Sequence, residues 1–371
     1  MNIWVFQHQT LGFLQDYLIW NEIEFDALDT WDTELDSNGR HILPQGLMLA
    51  QKDILILYTP VFHDMMEWAP SRQRLIEFCQ HNILWITCDG DGFEMTLDTR
   101  WRQNFENLDA SVPPGHVLYI MDCTPIPDSW MRGLGSIEVV SFPYTTSVLQ
   151  GTPRIYQTIL EKNADSRDYF LTTINKKERP HRQILQKELV ARPQLLDQGR
   201  VFFHASNSDL TDEWVGHKQK RHQWNACHPS MDLYRDHWVE IVPETLHQDA
   251  WYITEKIMKP IVTGTPFVVI STPGFLGYLR GLGFQTFGDI VDETYDNETD
   301  LVKRVRMALD TVEQIVRMGG RRFYESSRCI LEHNRRMLYE RSGAWSDDMD
   351  RLIYSCLTWS GFTYPVVKSS G

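Results

Sequence analysis

Trp251-Tyr-Ile-Thr254-Glu255-Lys256-Ile-Met-Lys259-Pro-Ile-Val-Thr-Gly264-Thr-Pro266-Phe-Val-Val-Ile270 is the most informative stretch of this 371-residue chain. Thr254 is a good N-cap, Glu255 and Lys256 fall in the first helical turn, and Gly264 with Pro266 ends the helix before an apolar strand. A helix over 255–263 running into a strand over 267–271 is one unit of a parallel sheet covered on both faces.

The same alternation extends outward. Upstream lie a strand at 238–242, a strand at 201–204, a helix at 182–190 and a strand at 168–174. Downstream lie a helix around 275–282, a short strand at 284–287 and a long helical stretch from 300. In that stretch Val302, Val305, Leu309, Val312 and Val316 recur at helical spacing. The pattern resumes over 321–339, and 349–359 reads as a further helix. The first half places strands at 3–6, 54–58, 83–88, 117–121 and 137–142, with helices at 11–20 and 71–80. Patterning weakens between about 144 and 167, where the domain boundary is expected.

Length supports the division, because 371 residues exceed what one core usually serves. The expected organisation is a Rossmann-like domain over 1–160, a second over 161–335 and a helical extension over 336–371. A net charge of -14 argues against a protein that coats nucleic acid through its overall field. Six cysteines without a CxxC pair read as reduced thiols of a cytoplasmic protein. No apolar run approaches membrane-spanning length, and the first residues lack the features of a secretion signal.

The chemistry concentrates in two places. At the start of the 255–263 helix, a carboxylate and an ammonium face the crevice outside the sheet, where free backbone N–H groups favour an anion such as a diphosphate. Lys256 there opposes the helix dipole and needs an anionic partner, while Glu255 can accept from a ribose diol. Directly after the 168–174 strand comes Asn175-Lys176-Lys177-Glu-Arg179-Pro-His181-Arg182, a basic turn able to neutralise a diphosphate, with Arg182 ranked before Arg179. The capped-surface-helix and solvated-loop readings of these segments stand beside the functional ones. Asp89-Gly90-Asp91 reads as a DxD triplet of the kind that holds a divalent metal on a diphosphate. His217, His222, Cys227 and His228 are too irregularly spaced for a metal site.

The run Tyr252-Ile-Thr-Glu-Lys256 followed by Gly264-Thr-Pro-Phe-Val-Val resembles the donor-site motif of the α-1,3-fucosyltransferase family. It is closer still to bacterial and phage-encoded glycosyltransferase-like proteins, through Pro273-Gly-Phe-Leu-Gly-Tyr-Leu-Arg-Gly-Leu-Gly-Phe-Gln-Thr-Phe287 and Asp292-Glu-Thr-Tyr-Asp296. The similarity covers roughly residues 168–300. It implies a GT-B architecture: two Rossmann-like domains facing a central cleft, with C-terminal helices packing back on the first domain.

It further implies transfer of a sugar from a nucleotide-diphosphate sugar to a hydroxyl, without a required cofactor or metal and with a lean toward inversion. Glu255 would take the ribose and Lys256 the diphosphate, supported by Thr254, Lys259, Lys176, Arg179 and Arg182. The catalytic base is expected after a strand of the first domain, with Asp89 and Asp91 ahead of His8, His63 and Asp64. The acceptor is either a glycan or a hydroxymethylated base in phage duplex DNA. A metal-dependent GT-A enzyme using Asp89 and Asp91, or a non-catalytic protein that binds nucleotide or glycan, are the alternatives.

Overall fold

The computed structural model describes residues 3–7, 26–29, 53–88, 99–121, 134–141, 168–174, 179–203 and 234–359. They form a mixed α/β fold with two parallel sheets. The chain divides into two compact units: Met1–Ser147 with Ser346–Gly371, and Val148–Trp345.

In the first unit six strands, β1 (Ile3–Gln7), β2 (Asp26–Asp29), β3 (Ile54–Tyr58), β4 (Ile83–Cys88), β5 (Val117–Met121) and β6 (Ile137–Ser141), pair in parallel in the order β2-β1-β3-β4-β5-β6. The runs Ile-Leu-Ile-Leu-Tyr and Val-Leu-Tyr-Ile-Met are buried at every position, as strands covered on both faces must be. Helices α1 (Thr59–Glu67), α2 (Ala69–Cys79) and α3 (Thr99–Asp109) provide cover, with Phe62 against Phe105 at 4.8 Å and Phe105 against Tyr119 at 4.7 Å. The Asp109 carboxylate accepts from the N–H groups of Gly135, Ser136 and Ile137, which fixes the entry to β6. Strand β2, with aspartate at two of four positions, escapes an apolar pattern and lies at the sheet edge.

The second unit holds β7 (Asp168–Ile174), β8 (Gly199–Phe203), β9 (His237–Pro243) and β10 (Phe267–Ile270), parallel in the order β10-β9-β7-β8. Around them run α4 (Pro180–Val190), α5 (Pro193–Leu196), α6 (Glu255–Thr263), α7 (Phe275–Gly281), α8 (Leu301–Met318) and the first part of α9 (Gly320–Trp359), whose residues from Ser346 on belong to the first unit. The buried stripe of α8 is Arg304, Val305, Ala308, Leu309, Thr311, Val312 and Ile315, while the expected stripe member Val302 is exposed. A single helix covers 320–359 where two were expected. Its far end lies beside β6 of the first unit: the Cys356 thiol is pushed up to about 12 by burial and then by the nearby Glu138 carboxylate.

The strand expected at 284–287 does not form. Its backbone groups go to side chains instead: Gln285 N–H and C=O both bond the Asn334 amide, and Phe287 N–H donates to the Glu293 carboxylate. Phe284 and Phe287 still enter the core, so the apolar spacing reflects anchoring of an irregular segment.

Gly199 opens β8 opposite Phe170 of β7, whose ring lies over the glycine so that an added Cβ would overlap it. Phe170 is fully buried and has nowhere to move. Gly199→Ala is therefore expected to cost about 1–3 kcal/mol, read as a lower urea midpoint with an unchanged slope.

Candidate functional site

Chain order and space order together locate the crevice of the second unit. From β7 the chain moves to β8 on one side of the sheet, then returns to place β9 on the other. The carboxyl ends of β7 and β9 therefore flank a topological switch point, where the two following connections part and ligands of open α/β sheets bind. The connection after β7 carries Arg179, His181 and Arg182; the one after β9 runs from Glu244 to the start of α6.

These two connections are tied to one another. Arg179 Nη1 donates to the Thr245 carbonyl, His181 Nε2 lies 2.7 Å from the Glu244 carbonyl, and Arg182 Nη2 donates to the same oxygen at 3.3 Å. From α8, the buried Arg304 reaches the His247 carbonyl at 2.8 Å and the Glu298 carbonyl at 2.6 Å. Three guanidinium groups thus meet main-chain oxygens of loops that would otherwise have to be solvated.

Glu244 is the hub. Its carboxylate, fully buried, accepts from Thr254 Oγ1 at 2.7 Å and from the backbone N–H groups of Thr245 (2.9 Å), Ile257 (3.3 Å) and Thr254 (3.4 Å). Thr254 caps α6 as expected from the sequence, its Oγ1 accepting from Lys256 N–H at 3.1 Å. The N–H groups of Lys256 and Ile257 are thus taken, and the anion at this helix N-terminus is the protein's own carboxylate. The expectation of free first-turn amides is corrected accordingly: a ligand here meets side chains rather than those two N–H groups.

Lys256 is partly exposed, and its Nζ lies 3.2 Å from Thr245 Oγ1 and 3.4 Å from Thr254 Oγ1. The hydroxyls turn the ammonium toward the same loop that Arg179 and Arg182 hold from behind. Glu255 is the first residue of α6, and its side chain lies outside what the structure describes. Lys259 sits three residues beyond Lys256 on the same helix, partly buried. Lys176 lies outside the described residues.

His181 and His247 stack with ring centroids 4.9 Å apart. Burial, the neighbouring His247 and the Arg182 guanidinium hold the His181 imidazole well below its usual pKa. His247 is lowered by burial and then by Arg304 and Arg179. Both shifts favour the neutral imidazole.

A second capped helix start adjoins this one. Asp296 accepts from Leu276 N–H at 3.1 Å through both carboxylate oxygens, at the start of α7. Beside it Trp251 donates to the Pro273 carbonyl at 2.9 Å and stacks on Tyr278 at 5.2 Å. The continuation Pro273–Phe287 and the acidic 292–296 segment are thus joined as scaffold behind β10.

Of the base candidates in the first unit, Asp64 is exposed on α1, the helix that follows β3. His63 is a core residue, with Nδ1 3.1 Å from Asn104 Nδ2 and its ring against Phe62 and Phe105. His8, Asp89 and Asp91 lie outside the described residues, as do His217, His222, Cys227 and His228. Among the described residues no group of three or more metal-ligating side chains occurs, and no helix is long and apolar enough to cross a membrane.

Sequence reasoning missed Glu244, Thr245, His247 and Arg304. The signal for the first two was positional: they are the first polar residues after a strand buried along its whole length.

No protein-family model and no curated protein sequence matches this chain. Among solved structures, one described as "Crystal structure of GtfA/B complex" is similar at a TM-score of 0.38 and 11% identity, over 84% of this chain and 59% of that one. This chain thus spans less than two thirds of that neighbour's length.

Proposed function

We propose that the protein is a glycosyltransferase of GT-B architecture that uses a nucleotide-diphosphate sugar. The observation that carries this reading is the convergence of Arg179, Arg182 and Lys256 on Thr245 and its neighbours at the switch point between β7 and β9. The second unit holds the donor, with the Lys256 ammonium meeting the diphosphate and the buried Arg179 and Arg182 adding positive potential from behind. Glu255, one residue earlier on α6, takes the ribose diol.

The reaction is a single displacement. The acceptor hydroxyl forms a bond to the anomeric carbon as the bond from that carbon to the phosphate oxygen breaks, and the nucleoside diphosphate leaves with the electron pair. The acceptor proton passes to a base of the first unit, for which Asp89, Asp91, Asp64 and His8 are the candidates. The side-chain cations supply the charge stabilisation of the leaving group, so the reaction proceeds without a metal ion. The configuration at the anomeric carbon inverts.

The test is to incubate the chain with UDP-, GDP- and dTDP-linked sugars, with and without oligosaccharides or hydroxymethylated duplex DNA, and to measure released nucleoside diphosphate. One nucleotide sugar should be consumed, faster with one acceptor class and undiminished by a metal chelator. No release from any donor with any acceptor would overturn the reading.

A further inference from the structure

The stacked histidines have no part in the chemistry above, and their surroundings give them one. The Glu244 carbonyl can only accept, so His181 Nε2 carries the ring proton. His181 Nδ1 is then a bare, buried lone pair that meets no hydrogen-bond partner among the described residues. His247 Nδ1 is likewise buried and unmet among the described residues. An unsatisfied buried polar atom costs about 1–3 kcal/mol. Two of them, side by side between the connections that follow β7 and β9, mark a place where a further charge or proton is accommodated.

The groups facing the pair are named readily. Arg179 and Arg182 approach from the α4 turn, Arg304 from α8, and Asp249 from the loop after β9, opposing the cations at His247. Resting on the donor-site reading, we infer that the His181–His247 pair takes up one proton when the diphosphate of a nucleotide sugar binds at the switch point, and so makes anion binding pH-dependent. The proton comes from solvent and adds to an Nδ1 lone pair; no other bond forms or breaks. A diphosphate offsets the field of the guanidinium groups that now disfavours an imidazolium, and the new N–H gives the buried nitrogen a charge to point toward. A neutral glycan supplies neither effect.

The sign follows from linkage. The free rings are held below their ordinary value by burial and the neighbouring cations, and a bound diphosphate would raise the pair above that. Affinity therefore rises as pH falls through the bound-state pKa, and levels off below the free-state pKa. Between the two it gains up to about tenfold per pH unit, the slope of one proton.

Isothermal titration of the full chain with UDP-glucose, GDP-mannose, GDP-fucose and dTDP-glucose, at pH 5.5 to 8.5 in two buffers of different ionisation enthalpy, tests this. The diphosphate diester of these probes does not titrate in that range, so protons counted belong to the protein. The expected result is uptake approaching one proton per bound ligand and tighter binding toward acid. His181→Gln, whose amide can keep the N–H to the Glu244 carbonyl, and His247→Gln should each flatten the profile. If His181→Gln fails to fold, the native uptake and His247→Gln decide the matter. Binding with no proton uptake and no pH dependence, or uptake unchanged in the variants, overturns the inference and leaves the donor site standing. No binding by any probe at any pH removes the donor site and the inference together.

Discussion

Glu244→Ala is expected to be the most damaging single substitution in the second unit, at about 3–5 kcal/mol of unfolding free energy. The carboxylate is fully buried and receives the Thr254 hydroxyl and three backbone N–H groups. Truncation strands the buried donors of Thr245, Thr254 and Ile257. Glu244→Gln keeps one acceptor oxygen and the shape, so it should lose roughly 1–2 kcal/mol. Urea unfolding followed by tryptophan fluorescence separates the cases. Equal midpoints for Glu244→Ala and the native chain would contradict the hub role.

Lys256→Ala should act on the ligand rather than on the fold. The residue is partly exposed, and the hydroxyls of Thr245 and Thr254 that its ammonium meets can turn to solvent once it is gone. Loss of a direct charge on a diphosphate costs about 2 kcal/mol, or roughly 30-fold in Kd, with little change in melting temperature. The Kd of the best nucleotide sugar, measured by calorimetry on both chains, checks it. A Kd unchanged by the substitution would place the diphosphate elsewhere.

The legibility of the fold tracked how much of each element is buried. Strands β3, β4, β5 and β7 were read at their observed bounds: β3 and β5 because unbroken apolar runs leave no other partner than a covered sheet, β4 and β7 because β-branched and aromatic residues dominate them although Thr87, Thr172 and Thr173 interrupt the apolar runs. The α6 unit was equally plain, since Thr254 and the left-handed Gly264 (φ 65°) are local signals that need no tertiary knowledge. The 284–287 segment misled because apolar spacing records burial and is silent about where the backbone bonds go. The two connections were legible as charge, in Arg179, Arg182 and Lys256, whereas their join was not. It depends on Glu244 and Arg304, which lie 60 residues apart and contribute through main-chain oxygens and a buried cap. Arg304 in particular sits within an apolar stripe, where the sequence shows only one more cation on a helix.

The central claim is that a nucleotide sugar binds at the carboxyl ends of β7 and β9. Hydrogen exchange of the full chain, with and without a saturating nucleotide sugar, tests it most directly by locating the amides that slow on binding. The account predicts protection concentrated at 179–184 and 244–258. Protection confined to the first unit, or spread with no focus on these two connections, would contradict it.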